Sequence, residues 1–322
     1  MPTVAIDARD ACAPDARGWG RYARELIAAL GRQGWADVRE ATAPRLVASA
    51  PELSWEQLWW PLRLARERPD LVHAPNCFLP LVRPCPGVVT VHDLAFEVHR
   101  DDFAPRTGWK YRTFTPRSVR SADRVICVSA FTAADVCERY GADPERVRVI
   151  PNAPALAIGG APAPGGAPYL LAVGDVRAKK NLGRLVEAWR ALRATGALPD
   201  HRLVLAGADS EGRGAALAQP GLELTGYVDD ARLDALMRGA DALVHPSLYE
   251  GFGLVLLEAM ARGTPVAAAR ATALPDTGGD AAEWFDPLDP DDIAAAILRA
   301  LGDRERLAAA GRARAALFTW DA

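Results

Sequence analysis

Short apolar runs rich in β-branched residues alternate with helix-length segments along the whole sequence. The runs span residues 3–7, 70–74, 87–93, 124–129, 146–151, 169–174, 202–207, 222–226, 242–247 and 265–269. The clearest helical segments between them span residues 18–33, 107–120, 131–140, 181–196 and 230–239. Strands that are apolar throughout and alternate with helices are typical of parallel sheets covered on both faces. The sequence therefore predicts an α/β protein.

One stretch rich in proline, glycine and alanine interrupts this alternation. It covers residues 151–168, carries no charge and is unsuited to helix or strand. A chain of 322 residues also has the usual length of two domains. We therefore expect a first domain over residues 1–155, a linker over 156–168 and a second domain over 169–322. Each is expected to be a Rossmann-like, doubly wound domain, and two such domains facing each other would form a central cleft for ligands.

The composition excludes several classes of protein. The 38 basic and 41 acidic side chains give a formal charge of −3 without a dense basic tract, so we expect no nucleic-acid partner. No stretch reaches the ~20 apolar residues of a membrane-spanning helix, and the N-terminal segment does not resemble a secretory signal. The five cysteines are odd in number and form no CxxC pair, which indicates free thiols in a reducing cytoplasm and no zinc site.

A glutamate lies in the middle of an otherwise apolar predicted helix. The helix runs to about Arg262, and Glu258 is surrounded there by leucine, valine, alanine and methionine. A helix that is apolar on every face is buried, and a buried carboxylate is costly unless hydrogen-bond donors satisfy it. A sugar diol offers two adjacent hydroxyl donors, which suit the two oxygens of a carboxylate. The alternative interpretation is that Glu258 meets a buried arginine.

The start of the same helix carries the features of an anion site. Gly251 and Gly253 flank Phe252 and permit close approach of the backbone, and the first amides of a helix favour negative charge. Glu250 stands directly before them. Amides between two carboxylates, Glu250 and Glu258, suit an anionic ligand with many hydroxyl groups. In the alternative interpretation, Glu250 only caps the helix.

Lysine is rare in this chain, and two of its three lysines are adjacent. Lys179 and Lys180 lie between the strand at 169–174 and a helix that begins near Asn181. A cation at a helix N-terminus interacts unfavourably with the helix dipole, at a cost of about 0.3–1 kcal/mol for each charge. A diphosphate bound by the helix-start amides and a lysine would account for this arrangement. A solvated basic turn is the alternative.

The first half of the chain offers weaker candidates. Gly18 and Gly20 belong to a GxGxxA pattern, the dinucleotide fingerprint, but about ten residues separate Asp7 from Gly18, whereas the fingerprint follows its strand directly. Glu40 would then be the ribose-binding acid of a dehydrogenase. His92 ends a buried strand, which is where α/β proteins place catalytic groups, although a single strand-end histidine can equally be structural.

Together these motifs resemble glycosyltransferase family 4, whose members are retaining enzymes with the GT-B fold of two Rossmann-like domains. The segment SLYEGFGLVLLEAMARGTPVAAA resembles the family's E-x7-E motif, and VGDVRAKKNLGRLVEA resembles its phosphate-binding strand, loop and helix. In the first half, TVHDLAFEVH and RSADRVICVSAFTAADVCERYGADPERVRVIPN resemble the mannosyltransferase-like branch that acts in bacterial surface polysaccharide assembly. The resemblance covers essentially the whole chain.

The resemblance implies how the second domain would bind a donor. Glu258 would hold the ribose hydroxyls of a sugar nucleotide. Glu250 would bind the transferred hexose together with the backbone of Gly251, Phe252 and Gly253. The implied donor is a nucleotide sugar, with GDP-mannose the first choice, and the implied acceptor is a glycan or a lipid-linked glycan.

The resemblance also implies how the reaction is assisted. Lys180, with Lys179, would neutralise the diphosphate as the bond between sugar and phosphate breaks. Such enzymes need no metal or other cofactor, because lysine and backbone amides stabilise the negative charge of the diphosphate, as a metal cation does in other enzymes. A loop around Gly18 and Gly20 would close over the donor, and His92 would lie near the sugar on the acceptor side.

The sequence departs from the family pattern in three places. Asp175 follows the glycine of the phosphate loop, where the family often has arginine or a small polar residue. Asp276 stands where the family usually has glutamate. The chain stops at FTWDA, whereas relatives continue with a helix that returns to the first domain, so we expect that final crossover helix to be missing.

One segment bears on membrane contact. Residues 106–124 carry six basic side chains and one acidic side chain, with Trp109, Tyr111 and Phe114 interleaved. A basic, aromatic helix of this kind either presents a solvated face or lies on an anionic membrane surface, where lipid-linked acceptors are found. We therefore expect a cytoplasmic protein that contacts the inner face of the membrane peripherally.

Three other functions fit parts of the same pattern. They are a non-catalytic module that binds sugar nucleotides or glycans, a nucleotide-sugar epimerase and a nicotinamide-dependent dehydrogenase. Transfer from a nucleotide sugar would separate the enzyme from the binding module, and an absorbance change at about 340 nm with added nicotinamide cofactor would favour the dehydrogenase.

Overall fold

The structure is a computed structural model and describes residues 1–12, 18–43, 52–160, 166–209 and 212–322. It divides into two compact units. The first comprises Met1–Ala155 together with Trp320–Ala322, and the second comprises Leu156–Thr319.

The first unit is built on a six-stranded parallel sheet with the order β2-β1-β3-β4-β5-β6. Its elements are β1 (Thr3–Asp7), α1 (Gly18–Gln33), β2 (Asp37–Ala41), α2 (Glu52–Ser54), a π-helical turn (Trp55–Trp59), α3 (Trp60–Glu67), β3 (Leu71–Ala74), β4 (Gly87–Val91), α4 (Ala95–Val98), a 3₁₀ turn (Arg100–Asp102), α5 (Pro105–Ser121), β5 (Arg124–Cys127), α6 (Ala130–Tyr140) and β6 (Val147–Val149). Local signals set several ends. The Ser129 side chain caps α6 by accepting from Thr132 N, and Gly141 ends it with φ +64°.

The second unit is built on a six-stranded parallel sheet with the order β12-β11-β10-β7-β8-β9. Its elements are β7 (Tyr169–Val173), a 3₁₀ turn (Ala178–Lys180), α7 (Leu182–Ala194), β8 (Arg202–Ala206), a 3₁₀ turn (Arg213–Leu217), β9 (Leu222–Gly226), α8 (Asp230–Gly239), β10 (Ala242–His245), α9 (Leu254–Ala261), β11 (Val266–Ala269), α10 (Leu274–Gly278), a 3₁₀ turn (Gly279–Ala281), β12 (Glu283–Phe285), α11 (Pro290–Gly302) and α12 (Arg304–Ala315). The chain runs outward from β7 through β8 to β9 and then returns to β10 on the other side of β7. The strand order therefore reverses between β7 and β10, and ligands of open α/β sheets bind at the carboxyl ends of strands beside such a reversal.

The predicted α/β class and the Rossmann-like character of both halves are confirmed, because the strands within each sheet are parallel and helices connect successive strands. Two strands were missed, β2 and β12. Both lie at an edge of their sheet, and β2 is largely exposed and carries the charged sequence DVREA, so neither has the apolar pattern of the central strands.

The helix α9 is buried, as its apolar sequence predicts. Leu256, Leu257 and Met260 are fully enclosed, and α12 packs closely against this helix. The approach is close because Gly311 on α12 has no side chain: a Cβ at that position would lie 3.2 Å from the Cβ of Met260. The carboxylate-bearing helix is therefore held in the interior of the second unit.

The described part of the predicted linker 156–168 is bound to the second unit. The Arg262 guanidinium donates to the carbonyls of Leu156 and Ala157, each at 2.9 Å, and Gly159 N donates to a carboxylate oxygen of Asp234. Residues 161–165 lie outside the described residues. At the other end of the chain, the Trp320 indole donates to Pro154 O at 3.2 Å, which is why the last residues group with the first unit.

All five cysteines are free thiols, as predicted. In the described parts of the chain, no helix is both long enough and apolar enough to cross a membrane.

Candidate functional site

Two loops meet at the strand reversal of the second sheet. One follows β7 and contains Lys179 and Lys180, and the other follows β10 and contains Glu250. They are joined by a hydrogen bond of 2.8 Å from Leu248 N to Lys179 O. Asn181, in the left-handed region with φ +55°, donates its side-chain amide to Pro246 O at 3.1 Å. The structure thus brings together residues that are about seventy positions apart in the sequence.

The centre of this junction is a lysine–glutamate pair. Lys180 Nζ lies 2.5 Å from Glu250 Oε1, and the side chains are 16% and 13% exposed. His245, the last residue of β10, places Nε2 3.1 Å from the same oxygen. Both contacts fall on Oε1, so Oε2 is left without a protein partner among the described residues. The predicted residues Lys180 and Glu250 therefore share one site.

Charge fixes the protonation states within this group. Burial alone would raise the pKa of the Glu250 carboxyl, but the charge of Lys180 and the hydrogen bond from His245 outweigh it and hold that pKa well below its usual range. Burial lowers the pKa of His245, against the opposing effect of Glu250. The contact is therefore a hydrogen bond from a neutral imidazole to a carboxylate, and Nε2 must carry the proton because a carboxylate only accepts.

A pH dependence of stability follows from the low pKa of Glu250. A carboxyl whose pKa is lower in the folded chain stabilises the fold above its unfolded pKa of ~4.3, and this contribution disappears as the pH falls through the folded value. We expect the difference in unfolding free energy between the parent chain and Glu250→Gln to be constant above about pH 5.5 and to shrink as the pH falls below about 4.3. Urea denaturation at a series of pH values measures it, and a difference that grows on acidification would contradict the assignment.

The backbone of Glu250 is clamped by a strained threonine. Thr272 Oγ1 accepts from Glu250 N at 3.0 Å and donates to Glu250 O at 2.9 Å. Thr272 itself has φ +51°, which is unfavourable for a β-branched residue and is the kind of strain that functional sites carry. Sequence reasoning missed both Thr272 and His245, because a left-handed threonine and the last residue of a buried strand give no periodic signal.

The glycine-rich turn after Glu250 has little room for side chains. Gly253 has φ +95°, and a Cβ there would lie 2.6 Å from a methyl group of Leu274. Phe252 is buried, packs edge-on against Phe318 at 5.8 Å and has its carbonyl occupied by the Thr277 hydroxyl. The ring and the carbonyl of Phe252 are therefore both engaged in contacts within the second unit. Gly251 is also buried beside Glu250.

The lysine loop depends on close contact between two strands. Lys180 lies across Gly174, whose φ is +140° and whose missing Cβ would stand 2.9 Å from Lys180 Cε. A Cβ at Gly207, after β8, would stand only 2.0 Å from Gly174 O. A side chain at Gly174 would therefore meet the Lys180 side chain, and a side chain at Gly207 would displace the backbone of Gly174.

We expect Gly207→Ala to lower the free energy of unfolding by about 1–3 kcal/mol, because the new methyl group must push the Gly174 carbonyl away. Gly183→Ala is the matched control. Its Cβ would meet nothing within 4 Å, and alanine in α7 is expected to stabilise the helix by about 0.5–1 kcal/mol. Urea denaturation of both variants tests this, and equal stability of the two variants would contradict the proposed close contact.

Glu258 lies on α9, the helix that follows the loop containing Glu250. Its side chain is buried at 2% exposure. The nearby guanidinium of Arg262 donates to Glu258 O and pairs with Asp234 Oδ1, each at 2.7 Å. This buried arginine therefore donates to the backbone of Glu258 and forms its ion pair with Asp234.

Two further residues of the lysine loop are placed by the structure. Lys179 is buried at 9% exposure, and its charge contributes to lowering the pKa of Glu250. Asp175, the departure from the family pattern, accepts a hydrogen bond from Ala208 N at 3.1 Å. Asp175 thus links the loops that follow β7 and β8.

The candidates in the first unit lie at the carboxyl end of its sheet. Gly18 is the first residue of α1, with φ +26°, and Gly20 lies in the first turn of this helix. The preceding residues 13–17 lie outside the described part. His92 follows β4 and is buried, with Nε2 2.8 Å from Pro75 O and its ring 4.7 Å from that of Tyr22. Burial lowers the pKa of His92. The expected role of His92 beside a sugar stays a prediction.

The basic segment 106–124 is only partly a surface. Tyr111 is buried against Phe78, and Lys110 forms ion pairs of 2.6 Å with Glu52 and 2.8 Å with Glu56. These two side chains point into the unit, so they are not part of the surface that the segment presents. Four of the exposed residues of α5 follow one another at intervals of three, eight and three positions and so form one face of the helix, namely Arg106, Trp109, Arg117 and Arg120.

Within the described residues, no group of three or more histidine, cysteine, aspartate or glutamate side chains is arranged to hold a metal ion.

Comparison with known protein families covers nearly the whole chain. Residues 16–154 match the model of Glycosyltransferase Family 4, and residues 159–315 match that of Glycosyl transferases group 1. The chain is 31% identical to O-antigen chain mannosyltransferase B of Escherichia coli over 81% of its own length and 73% of that protein. It is 33% identical to D-inositol 3-phosphate glycosyltransferase of Xylanimonas cellulosilytica over 63% of its length and 55% of that protein. The chain thus spans between about half and three quarters of these curated relatives.

Solved structures show the same fold. Sucrose-phosphate synthase from Thermosynechococcus elongatus superimposes with a TM-score of 0.74 at 23% identity, over 100% of this chain and 96% of that one. HepE of Anabaena, in complex with UDP and glucose, gives a TM-score of 0.70 at 17% identity, over 98% of this chain and 94% of that one. With its two Rossmann-like units, this chain has the GT-B fold and belongs to glycosyltransferase family 4.

Proposed function

We propose that this glycosyltransferase moves a hexose from a nucleotide sugar to a glycan or lipid-linked acceptor, with retention of configuration and without a metal or other cofactor. The first choice of donor is GDP-mannose, and the proposed setting is bacterial surface polysaccharide assembly. The similarity to an O-antigen chain mannosyltransferase supports the mannose and the setting. The complex of HepE with UDP and glucose supports a nucleotide sugar as donor.

The observation that carries the proposal is the cation–carboxylate pair at the strand reversal of the second sheet. Lys180 and Glu250 stand 2.5 Å apart at the carboxyl ends of β7 and β10, where such sheets bind ligands. A nucleotide sugar offers a diphosphate for the ammonium group and hydroxyl groups for the carboxylate. In this proposal Glu258 holds the ribose, and the amides of Gly251 to Gly253 contribute to the hexose site. Lys179 adds positive charge beside the diphosphate.

The chemistry asks for stabilisation of the leaving group. The acceptor hydroxyl oxygen forms a bond to the anomeric carbon, the bond from that carbon to the phosphate oxygen breaks with its electron pair leaving on the diphosphate, and the hydroxyl proton is released to solvent. Negative charge grows on the departing nucleoside diphosphate, so a fixed ammonium group there stabilises the transition state more than the ground state. Lys180 is the cation placed for that task, and Glu250 orients the hexose.

The test is a transfer assay with a panel of GDP-, UDP-, ADP- and TDP-hexoses, with the anomeric proton followed by NMR. The expected result is a product with the anomeric configuration of the donor, formed fastest from GDP-mannose and at an unchanged rate in excess EDTA. An inverted product, loss of the rate in EDTA that magnesium restores, or binding without turnover would each contradict the corresponding part of the proposal. Ligand binding also raises the unfolding temperature, which gives an independent check of the donor.

We also propose that the outer face of α5 contacts the cytoplasmic surface of an anionic membrane. Arg106, Arg117 and Arg120 lie on one exposed face with Trp109, which is 55% exposed. Co-sedimentation with vesicles of phosphatidylglycerol is expected and should be lost with pure phosphatidylcholine. It should also weaken in Trp109→Ala, and equal binding to both vesicle types would contradict the proposal.

A further inference from the structure

His245 is a buried histidine that faces the proposed donor site and lies outside the E-x7-E motif. It ends β10 and pairs in register with Ala268 of β11, so its backbone is fixed in the centre of the sheet. The side chain is 2% exposed, and Nε2 lies 3.1 Å from Glu250 Oε1. A side chain enclosed in this way keeps one position and cannot follow a moving ligand.

Lys180, the other partner of Glu250, would have two competing tasks. In the structure its ammonium group lies 2.5 Å from Glu250 Oε1. In the proposed reaction the same group binds the donor diphosphate, whose charge exceeds that of a single carboxylate. A lysine side chain has four rotatable bonds and is the mobile member of the group. When it turns to the diphosphate, the contact from His245 to Oε1 still holds the Glu250 carboxylate.

We propose that His245 is the positioning residue that holds the Glu250 carboxylate in place while Lys180 engages the donor. This inference rests on the proposed function. His245 donates to Oε1 and fixes the rotation of the carboxylate, and Oε2 is then directed to a hydroxyl group of the hexose. Thr272 restrains only the backbone of Glu250, through contacts of 3.0 Å and 2.9 Å to its N and O, so the side-chain restraint comes from His245.

The test compares His245→Leu with His245→Gln. Leucine removes the donor, and a misplacement of about 1 Å at a reacting group can cost about 10²-fold in rate, so kcat should fall by about that factor. The side-chain amide of glutamine can place its nitrogen near the position of Nε2, and His245→Gln should recover most of kcat. His245→Asn, whose amide is one bond shorter, should remain close to the leucine variant. Thermal unfolding of each variant verifies that it folds.

A second readout separates positioning from a purely structural effect. Titration calorimetry gives the affinity for the sugar nucleotide and for the free nucleoside diphosphate. In His245→Leu the affinity for the diphosphate should stay within about twofold, whereas the additional affinity provided by the hexose should disappear. A merely loosened fold would weaken both ligands together, which would overturn the inference.

The outcomes also separate this inference from the function on which it rests. Full turnover in a folded His245→Leu, with turnover lost in Glu250→Gln, would overturn only the role of His245. A glutamine variant as slow as the leucine variant would do the same. Full turnover in Glu250→Gln would instead contradict the proposed function itself.

Discussion

Replacing Lys180 with methionine is expected to lower kcat for hexose transfer by about 10²–10³-fold, the usual effect of removing one group that stabilises charge in a transition state. Methionine retains a side chain as far as Cε, the atom that lies across Gly174, and removes the ammonium group beyond it. Affinity for the nucleoside diphosphate should also fall, and more strongly than affinity for the monophosphate, because Lys180 is proposed to bind the phosphate next to the sugar. Steady-state kinetics and calorimetry measure both effects.

The same variant has an effect on the pH profile. Without Lys180, the effect of burial on the Glu250 carboxyl, which is to raise its pKa, is opposed mainly by the hydrogen bond from His245, so this pKa should rise. The acid limb of the residual activity should therefore move to higher pH. Arg190→Met is the control, since it removes one positive charge from an exposed position on α7, the helix that follows the turn containing Lys180. If Lys180→Met and Arg190→Met had equal rates, Lys180 would have no part in the reaction.

Glu250→Gln is expected to lower kcat by about 10²-fold while the affinity for the free nucleoside diphosphate stays within about twofold. The reason is that glutamine keeps the size of the side chain but exchanges a charged acceptor for an amide, and hydrogen bonds to charged groups contribute about 1.5–3 kcal/mol. The nucleotide does not depend on this side chain in the proposed site. Rates with saturating donor and calorimetry with the nucleotide alone separate the two quantities.

Glu258→Gln is the matched comparison, because it makes the same chemical change eight residues further along. Here the nucleotide affinity is expected to fall, since Glu258 is proposed to hold the ribose, and thermal unfolding verifies that the variant with this buried change remains folded. The opposite pattern, with nucleotide binding lost in Glu250→Gln and retained in Glu258→Gln, would reverse the two assignments.

The site residues that could be predicted are those whose residue type is unusual for the surrounding sequence. A carboxylate in a helix of leucine, alanine and methionine and two lysines in a chain of arginines both stand out in the sequence. Their juxtaposition also follows from the fold, because β7 and β10 become neighbours once the strand order reverses between them. The distance of 2.5 Å between Lys180 and Glu250 does not follow, since it depends on the missing side chains at Gly174 and Gly207.

The site residues that were not predicted are placed beside Glu250 by the three-dimensional fold, and no sequence motif marks them. His245 has the sequence environment of any buried strand residue, and only the loop that follows β10 turns Glu250 back toward it. Thr272 clamps Glu250 from a left-handed conformation that no local preference of threonine suggests. In α5 the residue type alone is misleading: lysine is usually exposed, but the Lys110 side chain is largely buried because it pairs with Glu52 and Glu56.

The central claim is that one donor molecule is held by Lys180 and Glu250 at the carboxyl ends of β7 and β10. A crystal structure of the chain with the nucleotide sugar that supports transfer tests this most directly. The account predicts Lys180 Nζ within hydrogen-bonding distance of a phosphate oxygen, a hexose hydroxyl on Glu250 Oε2 and the His245–Glu250 contact retained. A donor bound elsewhere, for instance in the groove of about 470 Å³ beside Arg184 and Arg213, with the Lys180–Glu250 pair intact, would contradict it.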